Sequence, residues 1–418
     1  MNYSNFGQKF SGKSGIVELM DDLGSALNEN PDMLFMGGGN PGRVPEVEAY
    51  FEKQLISIAQ DPIARHNLLG IYQSPQGEKG FREQLANYLA EAFNWNISDK
   101  NIAVSNGSQS AFFIIYNMLA GTMENGDKKT IHFPLAPEYV GYADAGLSDE
   151  FFSSTKPSIE IIDNETFKYH VDFSTLNIDN SIAALSVSRP TNPTGNVITD
   201  EEIVHLDQIA KQANIPLIID GAYGLPFPNI LFTDAKPHWN ENTIVVLSLS
   251  KLGLPGIRTG IVIANEQFIK DFTNANIITN LACGNLGPAL SKDLFSKNDI
   301  QILTDKITPF YQQKAEKTVE LLKQNLAGIP FKIHKPEGAI FLWLWLEGLP
   351  ITSKELYQRL KAKGVLIIPG EDFFIGIDDN WQHKYECIRL SYAQDESVVE
   401  QAVKIIADEI KALYLVNS

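Results

Sequence analysis

A chain of 418 residues is long enough for two domains of ordinary size, or for one large domain with an appendage. Hydrophobic residues at 44% and charged residues at 20%, with 30 Gly and 21 Pro spread along the chain, exclude disordered, collagenous and coiled-coil architectures. An excess of 51 acidic over 34 basic residues gives a net charge of −17, a field that repels nucleic acid and anionic lipid, so neither a nucleic-acid nor a membrane partner is expected.

The opening MNYSNFGQKFSGKSG has no apolar signal core, and the longest apolar runs, near 111–120 and 339–346, are too short to span a bilayer, which predicts a cytoplasmic protein. GGGNPG at 37–42 reads as a loop. IAVSN at 102–106 reads as a buried strand, and Ala111, Ile114, Ile115, Met118 and Leu119 then recur at the spacing of one helix face. AALSVS at 183–188, PLIID at 216–220 and IVVLSLS at 244–250 are continuous apolar runs suited to a parallel sheet covered on both faces. Between the first two, Thr199 and Glu202 form a capping-box pattern that opens a helix carrying Ile203, Leu206 and Ile209. After about residue 310 a long helical pattern is followed by the strand-like AIFLWLWL, a helix over Ser353 to Lys363 stopped by Gly364, and a terminal helix. The expectation is an α/β fold: a large doubly wound, mostly parallel domain over 45–310, and a smaller α+β domain built from 1–44 and 311–418.

Chemistry gathers where these strands end. SLSKLGLPGIR places Ser248, Ser250, Lys251 and Arg258 around a Gly-rich turn, a set suited to a phosphate and a reactive amine together. Taken alone, Lys251 is equally a surface lysine after an edge strand. NGSQS leaves free backbone N–H groups at a helix start, where an anion is favoured, although a plain capped turn has the same sequence. Asp220 ends a central strand with Tyr223 close behind, at the edge where open α/β sheets hold ligands; an Asp capping the next turn is the blander alternative. Asn192-Pro193 likewise fixes a turn after a strand. No GxGxxG follows a strand and no GxxxxGK[ST] is present, so the nucleotide fingerprints do not compete. The seven His residues show no metal-ligand spacing, Cys283 and Cys387 fit passive core thiols in a reducing compartment, and Phe341, Trp343 and Trp345 alternate as a core face.

In this order, FMGGGNPGRVPE, NGSQSAFF, PLAPEYVGYADAGL, SRPTNPTGNVITDEE, SLSKLGLPGIR and KPEGAIFLWLWL resemble the fold-type I pyridoxal-phosphate aminotransferases over nearly the whole chain. The resemblance implies pyridoxal 5'-phosphate as cofactor and Lys251 as its Schiff-base lysine. It implies Asp220 as partner of the pyridine nitrogen, Asn192 and Tyr223 as donors to the phenolate oxygen, and Tyr139 as the stacking aromatic. The phosphate is expected on Ser108, Gln109, Ser248, Ser250 and Arg258; Lys251 and Arg258 stand seven apart, one fewer than in the aspartate branch. Arg389 in CIRLSYA, with the backbone of Gly39, is expected to grip the substrate α-carboxylate. Tyr72, five before Gly77, resembles the tyrosine that reaches the neighbouring subunit's phosphate, which implies a homodimer with shared sites. The branch implied exchanges the amine of a small apolar amino acid such as valine, alanine or 2-aminobutyrate with a keto acid such as pyruvate, in a ping-pong sequence. Ile16, Phe35 and Tyr139 are candidate side-chain-pocket residues, and Arg43 and Arg65 the nearest candidates for a second cation. A lyase or decarboxylase on the same scaffold is the alternative within the class, and a non-catalytic sensor the alternative outside it.

Overall fold

Six strands form the body of a large sheet: Ile102–Ser105 (β1), Lys128–Phe133 (β2), Ile182–Ser188 (β3), Leu217–Asp220 (β4), Thr243–Ser248 (β5) and Gly260–Ile263 (β6). The computed structural model describes residues 1–12, 15–296 and 299–416, without the side chains at 15, 16, 18, 19 and 416. In space the strands run β1-β6-β5-β4-β3-β2, and short segments at Gly121–Thr122 and Phe152–Ser154 extend the sheet beside β2. β2 to β5 are parallel to one another, and β6 is antiparallel to both β5 and β1.

Every residue of β3, β5 and β6 is buried, as continuous apolar runs require when both faces are covered. Side chains alternate between two cores. Leu217 and Ile219 join Ile203 and Leu206 of the helix Asp200–Gln212 on one face, and Ile218 joins Phe112 and Ile115 of the helix Ser108–Leu119 on the other. The expected capping box is formed: the Thr199 hydroxyl accepts from Glu202 N–H at 3.1 Å, and the Glu202 carboxylate accepts from Thr199 N–H at 2.8 Å.

A second sheet has six strands in the order Ile368–Pro369, Cys387–Ser391, Phe341–Leu346, Phe331–His334, Thr166–His170, Ser158–Ile161. Its last two strands form a hairpin that comes from within the 45–310 stretch. The division at 310 and 311 falls inside one continuous helix, Asp299–Asn325. The N-terminal segment belongs with the C-terminal strands: Leu34–Phe35 pairs in parallel with Val365–Leu366, and Ser391 N–H donates to Met36 O at 2.7 Å. Among the described residues no helix is long and apolar enough to cross a membrane.

Candidate active site

The parallel strands deliver their C-terminal ends to one edge of the large sheet. β1 leads into Asn106–Ser108, the segment after β2 carries Tyr139, β3 leads to Asn192, β4 ends on Asp220 and β5 leads to Ser250 and Lys251. Because β6 runs the other way, its start lies at that same edge and brings Arg258 to the group. The register aligns Asp220 with Ser188 and Val246, and Gly260 with Ser248 and Ser105. The result is a cavity of about 610 Å³ lined by Gly39, Ser108, Gln109, Tyr139, Asn192, Asp220, Tyr223, Ser248, Ser250, Lys251, Arg258 and Arg389. Every residue expected to hold the cofactor or the substrate carboxylate is there except Tyr72, which stands 83% exposed and does not line the cavity of its own chain.

One end of the cavity gathers groups that could cradle an anion. The helix Ser108–Leu119 has no side-chain cap, so its first N–H groups open beside the hydroxyls of Ser248 and Ser250 and the guanidinium of Arg258. Ser248 and Ser250 hydroxyls lie 3.0 Å apart, and Arg258 Nη1 donates to Ser250 Oγ at 3.3 Å. Two glycines keep the space open. Gly107 has φ +91°, and a Cβ there would lie 2.4 Å from Arg258 Nη2; a Cβ on Gly260 would meet Ser105 Oγ at 2.5 Å and Ser108 N at 2.6 Å.

Lys251 sits beside this cradle, its ammonium donating to Gly39 O and lying 5.2 Å over the Tyr223 ring. Burial, reinforced by Arg389 and Arg258, brings its pKa down to about 8. Asp220 accepts from Ala222 N–H at 2.8 Å and from the phenol of Tyr142, yet burial holds its carboxyl above the usual aspartate range. The same enclosure raises the Tyr223 hydroxyl, opposed by Arg389. Tyr139 meets Tyr142 edge-on, with centroids 5.2 Å apart at 87°.

Arg389 is buried on the strand Cys387–Ser391. Its Nη1 donates to Asn192 Oδ1 at 2.7 Å and its Nη2 to Gly37 O at 2.7 Å, while buried Nε has no hydrogen-bond partner among the described residues. The bond to Arg389 occupies Asn192 Oδ1 and leaves the amide Nδ2 as that residue's donor. The guanidinium lies 4.1 Å over the ring of Phe341 and 5.2 Å from that of Phe373. Burial lowers its pKa to about 10, still cationic at neutral pH.

Two working residues are absent from the reading of the sequence. Phe341, taken as core, is also the platform under Arg389. Tyr142 holds Asp220 from within PEYVGY, where Tyr139 drew the attention; a second buried tyrosine three residues on was the available signal. Of the proposed pocket residues, Phe35 and Tyr139 line the cavity, and the Ile16 side chain lies outside the described residues. Arg43 is exposed and paired with Glu48 at 2.7 Å, Arg65 Nη1 donates to Ala59 O at 2.5 Å, and neither lines the cavity.

A family model described as aminotransferase class I and II matches residues 48–406. The chain is 49% identical over 412 residues to the valine–pyruvate aminotransferase of Escherichia coli (strain K12), covering 98% of each. Its fold superposes on a crystal structure of the valine–pyruvate aminotransferase of Salmonella typhimurium LT2 with a TM-score of 0.88, at 46% identity over 96% of this chain and 100% of that one. With a protein from Psychrobacter arcticum 273-4 the TM-score is 0.97, at 44% identity over 99% of both chains.

Proposed function

This chain belongs to the class I and II aminotransferases, and on that premise we propose that it moves the amine of a small apolar amino acid, valine, alanine or 2-aminobutyrate, onto a keto acid such as pyruvate. The observation that carries the reading is the set of cations that line the cavity among the described residues: Lys251, Arg258 and Arg389. Arg258 belongs to the anion cradle and Lys251 to the reacting centre, which leaves Arg389 alone to neutralise a substrate carboxylate. Most of the remaining wall is apolar, with Leu23, Leu27, Phe35 and Ile368, and its other side chains, Asn40 and Ser188 among them, are uncharged but for Asp220. A second carboxylate against that wall would be buried without a partner, whereas a methylene more or less changes binding by only about 1 to 3 kcal/mol.

Pyridoxal 5'-phosphate fits the donor set and supplies, when bound, an aldehyde and an electron-withdrawing ring that stabilises the charge left on breaking the α C–H bond. The first N–H groups of Ser108 and Gln109, the Ser248 and Ser250 hydroxyls and Arg258 would hold its phosphate. Asp220 would face the ring nitrogen and keep it protonated, Asn192 Nδ2 and the Tyr223 hydroxyl would donate to the phenolate oxygen, and Tyr139 would cover one ring face. Lys251 would supply the amine for the aldehyde carbon and would carry the proton to and from the α carbon; a pKa near 8 leaves it a usable base at neutral pH. Arg389, steadied by Asn192 and by the aromatic platforms, would hold the α-carboxylate together with Gly39 and so fix the direction of the α C–H bond.

The exposure of Tyr72 together with Ile63, Leu69 and Ile71 supports a homodimer in which Tyr72 reaches the partner's phosphate. Two buried free cysteines fit a cytoplasmic setting. The deciding measurement is the donor half-reaction of the cofactor-loaded protein, followed by cofactor absorbance without any acceptor. Valine, alanine and 2-aminobutyrate are expected to exceed aspartate and glutamate by about tenfold or more in specificity constant. Glutamate or aspartate ahead of the apolar donors overturns the reading.

A further inference from the structure

One wall of the cavity is the helix Gly15–Glu29, which presents Met20, Leu23, Gly24 and Leu27 to it, the i, i+3, i+4, i+7 positions of a single face. Three of the four are long apolar side chains. The fourth is a glycine in a helix interior, where glycine disfavours the helix. The usual backbone reasons for a glycine are missing: Gly24 is not among the positive-φ residues, and a Cβ built on it meets no atom of the described residues within 4 Å. The position is exposed at the rim of the cavity, while neighbouring Leu23 and Ala26 are buried at 4% and 3%. What the missing side chain leaves is space, at the point where a substrate side chain reaching past Leu23 would emerge.

The helix is also fixed from the other side. Asp22 accepts from the Tyr357 hydroxyl at 2.5 Å and from Lys361 Nζ at 2.5 Å, both on the helix Ser353–Ala362. Side-chain bulk added at 24 therefore narrows the cavity mouth instead of displacing the helix. We propose that Gly24 sets the upper size limit of the amino-acid side chain, admitting apolar donors longer than valine, such as leucine and phenylalanine, past the Met20–Leu23–Leu27 face. The proposal rests on the transamination reading above, and its test separates the two.

Gly24→Ala and Gly24→Leu are compared with the unaltered holoenzyme in two measurements: the donor half-reaction with alanine, valine, leucine and phenylalanine, and calorimetric binding of propanoate, 3-methylbutanoate, 4-methylpentanoate and 3-phenylpropanoate. These acids lack the amine and cannot react, so their binding reads the wall alone. Alanine substitution suits a helix interior, so folding does not limit the experiment. Expected for Gly24→Leu is a fall of about tenfold or more for leucine and phenylalanine and a matching loss of affinity for the two longer acids, with alanine and propanoate within about twofold and Gly24→Ala in between. A uniform fall across all sizes, no fall at all, or an unaltered enzyme that rejects leucine and phenylalanine overturns the inference. A glutamate half-reaction, run alongside, that outpaces all four apolar donors overturns the small-apolar-donor reading instead, and the acids still rank the variants by size.

Discussion

The phenol of Tyr142 donates to Oδ2 of Asp220, while Oδ1 takes the N–H of Ala222 at 2.8 Å. Both bonds stabilise the ionised carboxylate, against a burial that drives its pKa upward. Tyr142 is itself 1% exposed and lies parallel to Phe133, with centroids 6.0 Å apart, so its hydroxyl has a fixed position from which to donate.

Tyr142→Phe keeps that packing and removes the donor. A hydrogen bond to a charged group is worth about 1.5 to 3 kcal/mol, so substrate α-proton exchange should slow by roughly ten- to a hundredfold. The sign in pH is defined: without the phenol the Asp220 pKa rises further, the carboxylate protonates at a higher pH, and the acidic limb of the exchange profile moves up. A profile with an unmoved acidic limb removes Tyr142 from this role.

Lys251 gives a second pH effect of opposite sign. With its pKa lowered to about 8, the amine becomes neutral above that pH instead of near 10.5, its ordinary value. The rate at which cofactor-free protein takes up pyridoxal phosphate into a borohydride-reducible bond should climb toward pH 8 and level off there. A rate still rising at pH 10 contradicts the lowered pKa, and Lys251→Ala should abolish both the bond and turnover.

Gly107→Ala tests the anion cradle. The substitution forces a side chain into φ +91° and sets its Cβ 2.4 Å from Arg258 Nη2, so the guanidinium must leave its place. Cofactor retention, read by equilibrium dialysis, should weaken by about tenfold or more while the helix content of the cofactor-free protein is kept. Unchanged retention means that Arg258 lies off the phosphate.

Tyr72→Phe mixed with Lys251→Ala should regain up to about half of the activity per mixed dimer, because only one of the two sites then holds both residues. Subunit exchange demonstrated without recovery of activity places each complete site within one chain.

Where strand ends carry the chemistry, the sequence was enough. Asp220, Lys251 and Asn192 each follow a continuous apolar run, and a parallel sheet sends such ends to one edge. Tyr142 was not legible because its partner lies 78 positions away, so nothing local marks it. The hairpin Ser158–His170 was hidden for a different reason. TFKYH shows a lysine where a solvent-facing residue would be expected, yet Lys168 is buried, bonded to Glu337 and, at 2.7 Å, to Asn196 Oδ1. An ion pair that closes between distant segments leaves no periodicity behind it. The role of Phe341 was masked by burial itself, since a guanidinium platform and a core residue have the same pattern in sequence.

The contact of Arg389 with Gly37 joins residues 352 positions apart, whereas the anion cradle is drawn from residues 105–260. Made from the N-terminus at 5–20 residues per second, the chain has every cradle residue in hand while the roughly 130 residues from Arg258 to Arg389 are still to be added, an interval of about 7 to 26 s. A growing chain thus holds all the parts of the proposed phosphate cradle before it has the cation proposed to grip an amino acid. Premature termination ahead of Cys387 yields a product with the first set of parts and never the second.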